Sequence, residues 1–216
     1  MPFADPGATS VTDPRLRPAD VERWFADLGL EPLERADRDG ITSWDLVLDG
    51  RRRFDLRVTV ILDPSMALIC WAHYAPPIGD MFRKSYRKLL RWNDEFPFAK
   101  FSVGEDERPL LAVELPLFGS GTRGRLGADD LGHALVRIVA IADRSFAEST
   151  GWLWIGGRVP DQSDRVCRNE PILERFAGLY DEIAAEPPPT AEPPPTAEPP
   201  PTAEPPPTAE AIEPRR

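Results

Sequence analysis

Apolar and polar positions alternate most cleanly between Arg53 and Leu62, where Phe54, Leu56, Val58, Val60 and Leu62 share one face and Arg53, Asp55, Arg57 and Thr59 the other. A period of two is that of a half-buried strand. Shorter strand-like runs flank it at Thr42–Leu48 and Met66–His73, joined to it by Asp49-Gly50 and by Asp63-Pro64-Ser65. Asp-Gly between alternating runs is a strong hairpin signal, so the three strands are expected to form an antiparallel meander with a tight turn at Asp49-Gly50. Ahead of them, Val21, Trp24, Phe25 and Leu28 follow the spacing of one helix face, with Pro18 suited to the first helical position and Gly29 to the stop.

The stretch from Met81 to Phe146 reads as helix, strand, turn, strand, helix. In MFRKSYRKLLRWN, Phe82, Tyr86, Leu89, Leu90 and Trp92 fall largely on one side of a 3.6-residue period, and Arg83, Lys84, Arg87, Lys88 and Arg91 fill the other. Pro97 excludes helix from the residue before it, and Ala99, Phe101 and Val103 then alternate with polar neighbours. After GEDER, Leu111, Val113, Leu115 and Leu117 alternate again, so the two strands are expected to pair across a loop of roughly five residues. A second amphipathic helix follows, with Leu131, Leu135, Ile138, Ala142 and Phe146 in one stripe and Asp129 and Asp130 near its positive end. Beyond it lie an aromatic run, Trp152–Ile155, and a last helix from about Pro171 to Ala184 that buries Ile172, Phe176, Leu179, Tyr180 and Ile183. This order predicts an α+β domain, an antiparallel sheet of about five strands with amphipathic helices packed on it.

Composition divides the chain. AEPPPT occurs four times from Ala185 to Thr208, and half of the 26 prolines lie in this tail, which has no aromatic residue to offset its ordering entropy. The expected organisation is a loose segment at 1–15, one domain at 16–184, and a disordered proline-rich tail at 185–216, dispensable for folding, that acts as a spacer or a recognition segment. The formal charge of −10 leaves the domain acidic, which argues against general nucleic-acid binding. MPFADPGATS has neither a basic nor an apolar leader region, and no run approaches the roughly 18 apolar residues of a membrane span, so a cytoplasmic protein without membrane attachment is expected.

The run LLRWNDEFPFAKFSVGEDERPLLAVELP, followed by LGADDLGHALVRIVAIADRSF, resembles the YbjN domain family, whose members are similar in fold to type III secretion chaperones. The shared pattern is a helix ending near an asparagine (Asn93), two short strands around an acidic turn, a Leu115-Pro116 ending, and a helix with Ala142-Asp143 near its end. The resemblance spans roughly residues 18–150. It implies a small non-catalytic binding or regulatory domain and supplies no catalytic residues. The insertion Gly119–Gly127 and the repeat tail depart from the pattern.

Motifs of chemistry are few. Gly119, Gly121 and Gly124 fit G-x-G-x-x-G between a strand and a helix, but the strand before them alternates, whereas a central parallel strand is apolar on both faces. No second apolar strand with a ribose-binding acid follows. Cys70, Cys167, His73 and His133 show no C-x-x-C or H-x-x-x-H spacing, so no metal is expected, and no cofactor. Cys70, within MALICWA, reads as a buried small hydrophobe, and Glu105, Asp106 and Glu107 as a solvated turn. No local signature positions a nucleophile, and no enzyme is expected. The basic face Arg83, Lys84, Arg87, Lys88 and Arg91 stands out on an acidic protein. The expected function is therefore binding of an unidentified protein or peptide, chaperone-like or regulatory, with Arg83, Lys84, Arg87 and Lys88 as the partner-binding residues. Its alternative is a regulator that docks an anionic ligand or nucleic acid on the same face. Exposed sheet edges further suggest a homodimer.

Overall fold

The structure, a computed structural model of the chain, describes residues 16–73, 83–106, 108–117, 126–153 and 164–185, and within its helices the side chains of 83–85, 88 and 146–153 are left undescribed. The expectations for the N-terminal segment, the Gly119–Gly124 motif, Trp154-Ile155 and the repeat tail lie outside the described residues.

Among the described residues six strands build one sheet: β1 (Glu34–Arg38), β2 (Ile41–Leu48), β3 (Leu56–Asp63), β4 (Ala67–His73), β5 (Lys100–Val103) and β6 (Pro109–Pro116). Their order is β1-β2-β3-β4-β6-β5, with every neighbouring pair antiparallel. The α+β class holds, and the strand not anticipated is β1. Its sequence, ERADR, is exposed at all five positions and so has no apolar alternation to betray it.

The expected tight turn at Asp49-Gly50 needs correcting. Leu48 pairs with Leu56, so residues 49–55 form a long loop between β2 and β3. The two-residue turn is the chain's other Asp-Gly, Asp39-Gly40, which joins Arg38 to its partner Ile41 with φ of 53° and 81°. Positive φ at both central residues matches the right-handed twist of a hairpin, which is why glycine suits the second. The loop at 49–55 is drawn away from that geometry by two buried acids, described below.

Register carries one apolar face across the sheet. Trp44 lies opposite Val60, Val60 opposite Cys70 and Cys70 opposite Val113; Leu46, Val58, Ala72, Leu111 and Phe101 form the next row. All ten are buried. The helices are α1 (Pro18–Asp27), α2 (Arg83–Glu95), α3 (Ala128–Leu153), α4 (Glu170–Arg175) and α5 (Ala177–Ala184). The first closes as the sequence suggests, with Leu30 N–H on Phe25 O at 2.8 Å and Gly29 N–H on Ala26 O at 3.0 Å. Its Phe25 meets Trp44 edge-on at 5.7 Å.

The third helix rests on β4 and β6, while α1, α4 and α5 pack against it. It is therefore buried on more sides than one stripe predicts: Val136, Val139 and Ala140 are as enclosed as Leu131, Leu135, Ile138 and Ala142. It also runs on to Leu153, so Trp152 belongs to this helix and not to a separate aromatic run. The last helix is two, broken at Phe176 (φ −116°, ψ 30°), whose ring packs edge-on against His133 at 4.6 Å.

Candidate functional site

On α2 the inner positions are settled by aromatic packing. Leu89, Trp92 and Phe96 are buried, and Trp92 and Phe96 lie 5.2 and 6.1 Å from the ring of Phe101 on β5. The outer stripe follows from helical spacing: Arg87, Leu90, Arg91 and Asp94 share it and are exposed. Leu90, expected inside, is 66% exposed, because the ring cluster is filled by its neighbours Leu89 and Trp92. Of the four residues expected to bind a partner, Arg83, Lys84, Arg87 and Lys88, the structure places all on α2 and describes the side chain of Arg87 alone.

Where α2 turns into β5, Phe98 adopts a left-handed backbone (φ 63°) and is 82% exposed. Arg137 of α3 props this turn, donating to Pro97 O at 3.1 Å with its guanidinium 5.5 Å from the Phe98 ring. Such a backbone suits glycine better than phenylalanine. Phe98→Gly is therefore expected to leave stability unchanged or raise it by up to about 1 kcal/mol, since relief of strain outweighs a surface cation–π contact. Urea unfolding checks this, and a loss above about 1 kcal/mol would show that the ring holds the turn.

Two polar centres that sequence reasoning did not assemble lie elsewhere in the domain. In the first, the carboxylate of Asp143, 1% exposed on α3, reaches into the 49–55 loop. It accepts the N–H groups of Arg51 at 2.7 Å, Arg52 at 3.1 Å and Arg53 at 2.8 Å, and the hydroxyl of Tyr180 from α5. Three of these donors, Arg51, Arg52 and Tyr180, converge on Oδ2, and Arg53 takes Oδ1. Burial pushes the pKa of Asp143 up from the ordinary carboxylate value, and these hydrogen bonds oppose the shift. Tyr180 is raised in turn, by burial first and then by the neighbouring carboxylate. Arg51 lies over the Tyr180 ring at 4.7 Å and pairs with Asp181 at 3.0 Å. Together with Arg52 and Arg144 these groups line a cleft of about 270 Å³.

The second centre is Asp49, fully buried where β2 ends. Asn169 accepts its N–H at 2.6 Å and donates to its carbonyl at 2.9 Å, while Arg168 reaches its carboxylate at 2.7 and 3.1 Å. Arg165 and Arg168 both pair with Asp55, whose carboxyl is held down at about 2, chiefly by the hydrogen bond from Arg165. The two centres fasten one loop to α3, to α5 and to the segment before α4. A signal for the first was present: Asp143 interrupts the apolar run VRIVAIADRSF on the helix's buried stripe, where a charge persists only when fully hydrogen-bonded. Nothing marked Asn169 or Arg168.

The metal-type residues are dispersed. Cys70 is in the sheet core, its thiol pushed up to about 12 by burial, and Cys167 beside Asp49 is pushed up to about 11 for the same main reason. His73 stacks on half-buried Trp71, and His133 Nδ1 donates to Asp129 O at 2.7 Å. Among the described residues no group of three or more His, Cys, Asp or Glu is placed to hold a metal ion.

Among the described residues, one antiparallel sheet with helices packed over its apolar face makes an α+β module. The YbjN family model, described as "Putative bacterial sensory transduction regulator", matches residues 17–149, and the chain belongs to this family. No curated protein matches the chain. No helix among the described residues is long and apolar enough to cross a membrane.

Proposed function

We propose that this regulator-family protein is a cytoplasmic, non-enzymatic domain that works by binding a protein or peptide, in the manner of a secretion-chaperone fold, with the outer face of α2 as its docking surface. The observation that carries this reading is Leu90, 66% exposed in the same stripe as Arg87 and Arg91. An apolar side chain between two guanidiniums gives a partner something to desolvate as well as something to pair with, and interfaces are enriched in arginine. It also favours protein over nucleic acid, whose phosphates require only the charge.

The test begins with affinity capture by the full chain, with and without the repeat tail, and continues with Arg83, Lys84, Arg87 and Lys88 all changed to Glu. The variant is expected to melt within a few degrees of wild type, because solvated surface charges contribute roughly 0–1 kcal/mol per pair. Its association with the captured partner is expected to slow, and wild-type association to fall steeply with salt, since charge steering is screened over roughly 8 Å at physiological ionic strength. Unchanged affinity and salt dependence in the folded variant would overturn the proposal.

A further inference from the structure

On a chain with more acids than bases, Arg51, Arg144 and Arg175 each spend their charge on a neighbouring carboxylate, of Asp181, Glu95 and Asp129. Arg87 and Arg91 do not. Both are exposed on the outer stripe of α2, and among the described residues neither forms an ion pair, although Asp94 shares the stripe. Between them Leu90 is 66% exposed. The face thus offers charge, an apolar side chain and charge again.

The end of α5 lies beside the end of this helix. Arg144 of α3 joins the two, donating to Ile183 O at 3.4 Å and to the Glu95 carboxylate, with its guanidinium 4.6 Å from the Phe96 ring. Glu95 in turn is one helical turn from Arg91. Ala185 closes α5 with its N–H on Asp181 O at 3.0 Å and is already extended, at φ −60° and ψ 135°. The sequence continues Glu186-Pro-Pro-Pro-Thr-Ala-Glu192, and beyond Ala185 it holds six acids against two arginines. An extended proline-rich chain rises roughly 3.1 Å per residue, so Glu186 and Glu192 can stand up to about 19 Å apart. The 13 residues of α2 are about 20 Å long.

We propose that the outer face of α2 is covered by the acidic repeat segment of its own chain, the stretch from Glu186 to Glu192 first, and that a partner takes the face by displacing it. The inference rests on the reading of this face as a docking surface. Three features select the occupant. The segment begins where Arg144 gathers the ends of α5 and α2, so it needs no long path to the stripe. Its order is complementary, since two carboxylates with three prolines between them answer two guanidiniums with Leu90 between them. Proline also loses little conformational freedom on binding. Finally, tethering holds the segment near the face at an effective concentration on the order of millimolar, so a contact too weak for a free peptide is populated within one chain.

The test applies a zero-length carbodiimide, which links a carboxylate to a lysine amine in contact with it, to the full chain. Lys84, Lys88 and Lys100 are its three lysines; the first two are on α2, and Lys100 on β5 serves as the reference. Linked monomer is isolated and digested, and mass spectrometry assigns the joined residues. The expected result is linkage of Glu186 or Glu192 to Lys84 or Lys88 well above linkage to Lys100. It should fall to the Lys100 level in 1 M salt, where charges are screened beyond roughly 3 Å, and in a folded Arg87→Glu, Arg91→Glu variant that keeps the lysines. Linkage no greater than at Lys100, or unchanged by both salt and the variant, would overturn the proposal. So would linkage found in covalent dimers alone, which would give the face to the segment of a second copy. The docking reading fails separately: intramolecular linkage as expected, with a captured partner indifferent to the fourfold Glu variant, would overturn that reading and leave the contact standing.

Discussion

Replacing Asp143 with alanine is expected to lower stability by about 2–3 kcal/mol, which for a domain of this size moves the melting temperature by roughly 4–12 °C. The loss has a specific origin. Three amides of the 49–55 loop and the Tyr180 hydroxyl all aim at this carboxylate, and alanine removes it from all four, leaving the Arg51 N–H only its longer bond to the Tyr180 oxygen at 3.2 Å. The effect stays below that of a sealed core site because the adjoining cleft, lined in part by Asp143 and Tyr180, admits water to some of them. Asp143→Asn separates shape from acceptor count. Its single oxygen can serve Arg51, Arg52 and Tyr180, while its NH2 group faces the Arg53 N–H, so a loss of about 1 kcal/mol is expected. Urea unfolding of the three proteins gives the order directly. An alanine variant within about 0.5 kcal/mol of wild type would show that the carboxylate's burial cost cancels what its hydrogen bonds contribute.

Why the sequence discloses some of this and hides the rest follows from periodicity. The meander, the β5–β6 hairpin and the helices α1 to α3 are legible because each buries one face, and burial writes itself as a period of two or 3.6 residues. The first strand writes nothing, since ERADR is exposed on both faces and is set in place by the Asp39-Gly40 turn and by pairing with β2. The two Asp-Gly pairs look alike in the chain; what separates them is a contact 93 positions away, between Gly50 and Asp143, that no local window contains. The same holds for the partner face. Its basic stripe is plain in the sequence, but the exposure of Leu90 depends on Trp92 and Leu89 filling the ring cluster around Phe101. Asn93 and Asp143 stand within the resemblance to the YbjN pattern, and the structure gives each a mechanical reason. Asn93 holds the Phe101 backbone to the end of α2 by two hydrogen bonds, and Asp143 ties down a loop.

Gly50→Ala is expected to be nearly as damaging as the loss of Asp143 itself, for a reason that makes the two changes non-additive. A Cβ on Gly50 would lie 2.2 Å from Asp143 Oδ1 and 2.6 Å from Oδ2, roughly 1 Å inside normal contact. Either the loop retreats or the carboxylate does. The carboxylate cannot move without releasing the Arg51, Arg52 and Arg53 amides and Tyr180, and the loop cannot move without disturbing Asp49, which Asn169 and Arg168 hold on its other side. The single methyl therefore breaks most of the bonds that Asp143→Ala breaks, at an expected cost of about 2–3 kcal/mol. In a chain that already carries Asp143→Ala the clash is gone, and adding Gly50→Ala is expected to change stability by less than about 0.5 kcal/mol. The double-mutant cycle should then return a coupling of about 2 kcal/mol between two residues in direct contact. If the two losses instead add, the methyl is being rejected by the loop's own backbone, and Asp143 is not the group that requires glycine at position 50.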